Sequence, residues 1–181
     1  MAAATAIGGF TVSPDGTTAA YVANVKGKTA LWIHPLDGAP RMLPGTEDAG
    51  FPFWSPDGKS IAFFAGGKLL RTTIAGGTPL ILCDVGSPRG GAWSEDGRIV
   101  FGTFGNGILQ VPESGGMSRA LTTSEAASDE HMWPQVVPGA AYCTGILVEI
   151  WSAVLTQLLW LSQLKECGRS PRIPTPSLHR W

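Results

Sequence analysis

The sequence predicts an all-β fold, because three features recur along its 181 residues. A tight-turn motif returns about every 40 residues, β-prone runs follow each copy, and a second glycine turn follows those runs. Charged residues make up only 15% of the chain, whereas glycine (24) and proline (14) are abundant, a pattern that favours many tight turns over disorder. A repeat of roughly 40–45 residues with several short strands is typical of one blade of a β-propeller.

The first turn of each unit has the sequence Ser-Pro-Asp-Gly or a close variant. The turn occurs at Ser13–Gly16, Ser55–Gly58 and Ser94–Gly97. A degraded fourth copy ends at Gly139. The closing glycines of the first three copies are 42 and then 39 residues apart. Proline presets φ for a turn, aspartate bonds to nearby amides, and glycine accepts a positive φ. Six residues are therefore interpreted as structural turn residues rather than as ligands around an axis: Asp15, Gly16, Asp57, Gly58, Asp96 and Gly97.

Two β-prone runs follow each turn. In the second unit these are Ile61–Phe64 and Leu69–Arg71, and a short third run comes after the glycine pair at 76–77. Apolar runs that are separated by tight turns form antiparallel hairpins. Together with the apolar residues before the turn, each unit supplies about four short strands. The tryptophans before the second and third turns, Trp54 and Trp93, are predicted to pack between neighbouring blades.

The predicted architecture is about three four-stranded blades and part of a fourth, followed by a helical or irregular tail. The blades are expected at about residues 9–50, 51–89, 90–130 and 131–142, and the tail over 143–181. Closed propellers have about four to eight blades, and an open end leaves an apolar blade face uncovered. Two interpretations follow. The chain is a piece of a longer propeller, which we favour, or it closes by self-association.

The repeat resembles that of a known family. The turn, the run Ile61–Phe63 and the segment Ala75–Pro79 together resemble the TolB-type β-propeller repeat, a relative of the WD-repeat propellers. The segments Pro88–Ser94 and His131–Gln135 are similar to propellers that are attached to bacterial eukaryotic-like serine/threonine protein kinases. The resemblance covers about residues 9–142. It implies a non-catalytic sensor or interaction module, often outside the cytoplasm and downstream of a kinase domain and a membrane span.

The catalytic motifs that accompany such modules do not occur in the sequence. A kinase needs a glycine-rich phosphate loop, a His-Arg-Asp catalytic loop and Asp-Phe-Gly. The prolyl-oligopeptidase-type hydrolases, whose propellers are a related resemblance, need the nucleophile elbow G-x-S-x-G. The chain contains none of these. We therefore expect no enzymatic activity, no cofactor and no metal in the chain itself. The alternative is the propeller portion of a kinase or hydrolase whose catalytic domain lies outside this chain.

Two residues are candidates for binding. Arg89 stands just before a predicted strand, where its guanidinium would face the central channel and meet an anionic partner group, or would be a surface turn residue. His131 lies with the carboxylates of Asp129 and Glu130 in a loop predicted over Ser124–Trp133. Histidine and carboxylates suit divalent cations. Their spacing matches no specific metal motif, so a solvated loop between blades is expected.

The repeat pattern of the sequence stops after Tyr142, and the composition changes. Residues 146–164 form a mostly apolar stretch that is rich in leucine and contains no glycine or proline, which favours a helix. Three interpretations stay open: an amphipathic helix that packs on the propeller, a sequence-level accident such as a shifted reading frame, or a membrane-associated helix. The polar residues Glu149, Gln157 and Gln163 count against a true membrane span.

The net charge and the cysteine spacing give no indication of nucleic-acid or zinc binding. The net charge is −1 and no run of lysine or arginine exists, so no nucleic-acid binding is expected. The three cysteines match no zinc spacing, and an odd number makes a poor disulfide framework. The N-terminus lacks the pattern of a signal peptide; the family resemblance implies a bacterial, extracytoplasmic location as part of a longer protein. The function predicted is protein or peptide binding in a sensory or scaffold role.

Overall fold

The computed structural model describes residues 5–25, 27–122, 131–136, 143–146 and 165–166. All regular elements in these residues are β-strands, and they form four antiparallel sheets that follow one another along the chain. The described ranges contain no helix, and hence none with the length and apolar character that crossing a membrane requires. The predicted all-β fold is therefore confirmed.

Each of the first three sheets is a meander of four strands whose spatial order is the chain order. Sheet 1 consists of β1 (Thr5–Val12), β2 (Thr18–Val25), β3 (Lys28–Pro35) and β4 (Arg41–Met42). Sheet 2 consists of β5 (Gly50–Trp54), β6 (Ser60–Ala65), β7 (Lys68–Thr73) and β8 (Leu80–Asp84). Sheet 3 consists of β9 (Pro88–Trp93), β10 (Arg98–Thr103), β11 (Gly107–Pro112) and β12 (Arg119–Ala120). Sheet 4 consists of three strands: β13 (His131–Gln135), β14 (Cys143–Ile146) and β15 (Lys165–Glu166).

The Ser-Pro-Asp-Gly turn joins the first strand of a sheet to its second strand. In sheet 1 the Ser13 hydroxyl donates to Asp15 Oδ1 at 2.5 Å, and the Thr17 amide donates to the same oxygen at 3.0 Å. The Thr18 amide donates in turn to Ser13 Oγ at 3.0 Å, and Gly16 has φ of +73°. The Ser13 hydroxyl is the main cause that lowers the pKa of the Asp15 carboxyl. The turn is thus closed by its own side chains.

The same hydrogen bonds recur in the second and third turns. The Ser55 hydroxyl donates to Asp57 Oδ1 at 2.6 Å and lowers the pKa of that carboxyl. In the third turn the Arg98 guanidinium and the Ser94 hydroxyl both donate to Asp96, and together they lower its pKa to about 2. The recurrence of these bonds explains why serine, aspartate and glycine return at the same places in each turn.

Two apolar clusters join consecutive sheets. Sheets 1 and 2 meet in a cluster of nine buried residues: Ala20, Val22, Leu31, Ile33, Leu43, Ala49, Trp54, Ile61 and Phe63. Sheets 2 and 3 meet in a cluster of ten: Phe53, Ala62, Phe64, Leu69, Leu82, Val85, Trp93, Ile99, Phe101 and Val111. The predicted packing of Trp54 and Trp93 between neighbouring sheets is confirmed.

The first strands of successive sheets lie beside one another. Strand β1 contacts β5, β5 contacts β9, and β9 contacts β13, whereas the fourth strands lie at the opposite edge of each sheet. The sheets are therefore arranged around a common axis in the manner of propeller blades. Because β1, β5 and β9 are each hydrogen-bonded on one side only within their sheets, edge strands line this axis.

Sheet 4 continues the strand pairing past residue 142, where the repeat was expected to end. Strand β14 pairs with β13, and His131 lies opposite Ile146. Ile146, the expected start of an apolar helix, thus belongs to a strand, since pairing with a neighbouring strand overrides local propensity. The remainder of that stretch, residues 147–164, lies outside the described residues. Strand β13 begins at His131, so the last three residues of the loop predicted over Ser124–Trp133 belong to a strand, and residues 124–130 lie outside the described residues.

Candidate functional site

Every first strand is interrupted by a bulge that holds one residue with a positive φ. The φ angle is +81° at Gly9, +49° at Phe51, +80° at Gly90 and +54° at Trp133. Shifts in the register of strand pairing mark all four places. Glycine adopts such angles readily, whereas a bulky residue does so only when its surroundings impose them. A bulge with one positive-φ residue therefore recurs at the axis in all four sheets.

The four bulges pack against one another. A Cβ atom at Gly9 would lie 2.6 Å from Pro52 Cδ, and a Cβ atom at Gly90 would lie 2.5 Å from the Trp133 ring. The Trp133 ring also meets the Phe51 ring edge-on, with centroids 5.3 Å apart and planes at 72°. The glycine in sheet 3 thus leaves the space in which aromatic side chains of sheets 2 and 4 meet.

An open groove of about 520 Å³ lies along the axis. Its walls are residues 9–11, 51–54, 90–93 and 133–136, one segment from each first strand. None of these residues carries a charge, and most are aromatic, proline or glycine. The volume falls within the roughly 300–1,000 Å³ that is usual for ligand pockets. A groove of this composition suits an uncharged, apolar ligand. We call this feature the axial groove.

The axial groove also offers hydrogen-bonding groups. Thr11 and Gln135 contribute the polar side chains of its lining. The unpaired edges of β1, β5 and β9 contribute backbone amides and carbonyls, because each of these strands has a neighbour on one side only. An extended peptide can bond to such an edge. The aromatic ring of Trp133, with 45% of the residue exposed, lies beside these groups.

The two predicted binding residues lie near each other but outside the lining of the axial groove. The backbone oxygens of Arg89 and His131 are both 3.0 Å from the position of a Cβ on Gly102. The Arg89 guanidinium donates to the Pro88 carbonyl and lies 5.4 Å from the centroid of the Phe104 ring, and Arg89 is not among the residues that line the groove. His131 Nδ1 lies 2.7 Å from Thr122 Oγ1. A binding role for either residue stays a prediction.

The three turn aspartates and Cys83 have surroundings that suit a structural role. Asp15, Asp57 and Asp96 each bond within their own turn. Burial, followed by the charge of Asp84, raises the pKa of the Cys83 thiol to about 11, so this thiol is protonated at neutral pH and is a poor nucleophile. No three side chains of the types His, Cys, Asp or Glu come together in the part of the chain that the structure describes.

Sequence reasoning missed Phe51 and Trp133 as residues of a site. A signal for Phe51 was present, because Gly9 and Gly90 each stand four residues before the serine of the following turn. A glycine that recurs at one place in a strand indicates a bulge or a close approach. Phe51 stands at the same offset in the second unit. The exchange of glycine for an aromatic residue at that place indicates where a side chain enters the axis.

Comparison with known proteins supports the fold. No protein-family model and no curated protein matches the sequence. A structure described as TolB from Agrobacterium tumefaciens matches with a TM-score of 0.64 and 24% identity, over 76% of this chain and 54% of that one. TolB from Acinetobacter baumannii matches with a TM-score of 0.55 and 19% identity, over 75% of this chain and 40% of that one. The β-propeller domain of the Trilobed protease from Pyrococcus furiosus matches with a TM-score of 0.51 and 19% identity, over 78% of this chain and 52% of that one.

These likenesses establish the fold alone, since all three identities are below 25%. The predicted β-propeller of the TolB type is confirmed at that level. The chain spans between 40% and 54% of the length of the three solved structures. None of the three is described as attached to a kinase, so that part of the family resemblance stays a prediction.

Proposed function

We propose that this chain is a propeller module that binds an extended, uncharged peptide segment of a partner protein in the axial groove. The observation that carries the proposal is the composition of the groove. Four strands from four sheets converge on it, and they contribute aromatic, proline and glycine residues with no charge among them. A charged peptide would lose hydration there without gaining an ionic partner.

The shape of the groove favours an extended segment over a compact ligand. The groove is open and follows edge strands, whose free amides and carbonyls can bond to the backbone of a peptide. Trp133, Phe51 and Phe10 then supply the surfaces on which apolar or proline side chains of the peptide pack. Aromatic-lined grooves are a recurrent means of binding proline-rich segments.

Trp133 is the residue that we expect to contribute most to affinity. Tryptophan is enriched among residues that dominate binding energy, and such residues sit in well-packed surroundings. The Trp133 ring is held by Gly90 on one side and by Phe51 on another, yet 45% of the residue remains exposed. It is thus fixed in advance and still accessible, which lowers the entropic cost of binding.

A random peptide library that is panned against the immobilised chain tests this function. We expect the enriched peptides to be rich in proline and aromatic residues and poor in charge. A synthetic copy of an enriched peptide, titrated by calorimetry, should lose about 30-fold in affinity on Trp133→Ala, the effect of a residue worth roughly 2 kcal/mol. Met117→Ala is the matched control, since Met117 is 88% exposed and lies outside the groove. No enrichment, or equal affinity for both variants, would contradict the proposal.

A second candidate is the propeller portion of a hydrolase whose catalytic domain is encoded outside this chain. The observation that favours it is the fold likeness to the propeller domain of the Trilobed protease. The neighbouring coding sequence distinguishes the candidates. A domain with G-x-S-x-G downstream supports the hydrolase, and a kinase domain upstream supports the kinase-attached alternative. A full-length gene that encodes neither domain would support the binding module over both enzyme alternatives.

A further inference from the structure

A second cavity, of about 260 Å³, lies beside the axial groove. Its walls come from the connection before β5, the turn between β6 and β7, and the connection after β8. Phe51 lines both cavities. The Phe51 ring meets the Trp133 ring edge-on at a centroid distance of 5.3 Å, and it meets the Phe64 ring edge-on at 6.3 Å. The Phe51 ring thus stands between the axial groove and the second cavity, which we call the side cavity.

The side cavity carries one unbalanced negative charge. Its described lining has two charged residues, Asp48 and Lys68. Lys68 Nζ donates to Asp84 Oδ1 at 2.5 Å, so a carboxylate already balances the lysine. The exposed carboxylate of Asp48 has no hydrogen bond or ion pair with any residue in the described part of the chain. A bound cation would therefore compensate the charge of Asp48.

The fold does not require a carboxylate at position 48. The Asp48 amide donates to the Thr29 carbonyl at 2.9 Å. In the next sheet the Val85 amide donates to the Gly67 carbonyl at 2.8 Å, so Val85 occupies the equivalent place. Val85 is 6% exposed and belongs to the cluster between sheets 2 and 3, whereas Asp48 is exposed. Because an apolar residue satisfies the fold at this place, the carboxylate of Asp48 is available for binding.

Hydrogen bonds fix the connection that carries Asp48. The hydroxyl of Thr46, a residue with no exposed surface, accepts from the Leu31 amide at 3.0 Å and donates to the Leu43 carbonyl at 2.7 Å. The Ala49 amide donates to the Thr46 carbonyl at 3.3 Å. The backbone at Asp48 is thus held in place before any ligand binds, which lowers the entropic cost of binding.

The rest of the lining suits an organic cation better than a metal ion. Phe51 and Phe64 are aromatic, and Ala65 and Val85 are aliphatic. An aromatic face attracts a cation that lies within about 6 Å of the ring centre. A calcium ion takes about six to eight oxygen ligands, whereas Asp48 alone contributes a side-chain oxygen among the described residues of the lining.

We propose that the side cavity binds the ammonium or guanidinium group of one lysine or arginine side chain. The cavity is smaller than the roughly 300–1,000 Å³ that is usual for whole ligands, which suits a single side chain. Because the Phe51 ring alone separates the two cavities, this basic residue belongs to the same peptide as the uncharged segment in the axial groove. In that respect the inference rests on the proposed function.

Titration with n-butylammonium chloride at constant ionic strength, followed by ¹H–¹⁵N NMR spectra of the labelled chain, tests the cation site without any peptide. We expect saturable shifts of the amide signals of Asp48, Gly66 and Gly67, which line or adjoin the site. The uncharged probe n-butanol should cause no such shifts.

Asp48→Asn should weaken n-butylammonium binding about threefold to fivefold, the effect of losing one exposed ion pair. Asparagine keeps the shape of the side chain and adopts a positive φ readily, so it is compatible with the φ of +57° at this position. Asp37→Asn is the matched control, because Asp37 is an exposed carboxylate in the turn after β3 and lies outside the side cavity. It should leave the affinity unchanged.

The absence of saturable shifts with n-butylammonium overturns the proposal, whether or not any peptide binds. Equal affinity of the wild type and Asp48→Asn overturns it as well. A site for n-butylammonium in a chain that enriches no peptide contradicts the proposed function and leaves the cation site standing.

Peptides enriched by panning distinguish a peptide side chain from a free amine as the source of the cation. We expect one lysine or arginine next to the proline and aromatic residues. Norleucine in its place should weaken binding to the wild type and should leave binding to Asp48→Asn unchanged. Enriched peptides that bind tightly without a basic residue would overturn the assignment to a peptide and assign the site to a free amine.

Discussion

Phe51 and Trp133 hold a backbone conformation that costs a bulky residue about 1–2 kcal/mol relative to the right-handed region. Their φ angles are +49° and +54°, whereas the equivalent places in the other two sheets are glycine. Such strain persists only where the surroundings impose it, and it clusters at functional sites. Here it turns two aromatic rings towards each other across Gly90. The strain thus positions the residues that we expect to bind the peptide.

Gly90→Ala tests the close packing at this point. A Cβ at position 90 would lie 2.5 Å from the Trp133 ring, and its φ of +80° is unfavourable for alanine. We expect the free energy of unfolding in urea to fall by about 2–5 kcal/mol, the sum of backbone strain and overpacking.

Gly105→Ala is the matched control for that prediction. Gly105 has a similar φ, +78°, in the turn between β10 and β11, and nothing lies within 4 Å of its Cβ position. The loss there should be only the backbone strain of about 1–2 kcal/mol. Equal losses for Gly90→Ala and Gly105→Ala would show that the Trp133 ring does not pack on position 90.

The turn aspartates predict a loss of stability in acid. The pKa values of Asp15, Asp57 and Asp96 are lowered in the folded chain, to about 2 for Asp96. A lowered pKa contributes stability that is complete above the unfolded value of about 3.9 and is lost as the pH falls through the folded value. Urea midpoints measured at several pH values should therefore fall between about pH 4 and pH 2.

The triple variant Asp15→Asn, Asp57→Asn, Asp96→Asn is the control for the acid prediction. Asparagine keeps the size of the side chain and an acceptor oxygen but does not titrate in this range. The variant should be less stable than the wild type at neutral pH and should show a shallower decline towards pH 2. A decline as steep as that of the wild type would place the titrating groups elsewhere.

At the residue scale the sequence predicts turns better than sites. Asp57 and Gly58 can be predicted because a local motif closes its own turn with hydrogen bonds between residues no more than five apart. The role of Trp133 could not be predicted from the sequence. It depends on Gly90, which lies 43 residues earlier, and on a φ angle that tryptophan disfavours. Of the two interpretations given for Arg89, the central channel and a surface turn, the contact of its guanidinium with the Phe104 ring does not favour the channel.

At the scale of strands, periodicity and turn chemistry predict most of the first three sheets. The runs Ile61–Phe64 and Leu69–Arg71 lie within β6 and β7, where both faces are covered by neighbouring sheets. Strand β14 escaped prediction, since only its pairing with β13 makes it a strand. The intrinsic propensities of the residues in β14 do not indicate which strand they pair with.

Phe101→Ala tests the packing between sheets. Phe101 lies in β10 with no exposed surface, inside the cluster that joins sheets 2 and 3. Truncation of a buried phenylalanine leaves a cavity, so the free energy of unfolding in urea should fall by about 3–5 kcal/mol.

Leu36→Ala is the comparison for the packing prediction. Leu36 is 72% exposed in the turn after β3, so its truncation should change stability by no more than about 0.5 kcal/mol. A loss at Phe101 as small as that at Leu36 would mean that the sheets are not packed through this cluster.

At the scale of the whole molecule, the axial groove exists only when the sheets are assembled. Its walls come from four segments that are separated by about 40 residues each, and no single segment forms a concave surface. The repeat predicts that the sheets surround an axis. It does not predict what lines that axis, because the lining depends on which residues occupy the bulges of β1, β5, β9 and β13.

Hydrogen–deuterium exchange, with and without a peptide enriched by panning, tests whether the axis formed by the first strands is the binding site. We expect slower exchange on binding in at least two of β1, β5, β9 and β13, and unchanged exchange in the outer strands β4, β8 and β12. Those outer strands lie at the far edge of their sheets from the groove. Protection that is confined to the outer strands would mean that the peptide binds away from the axis.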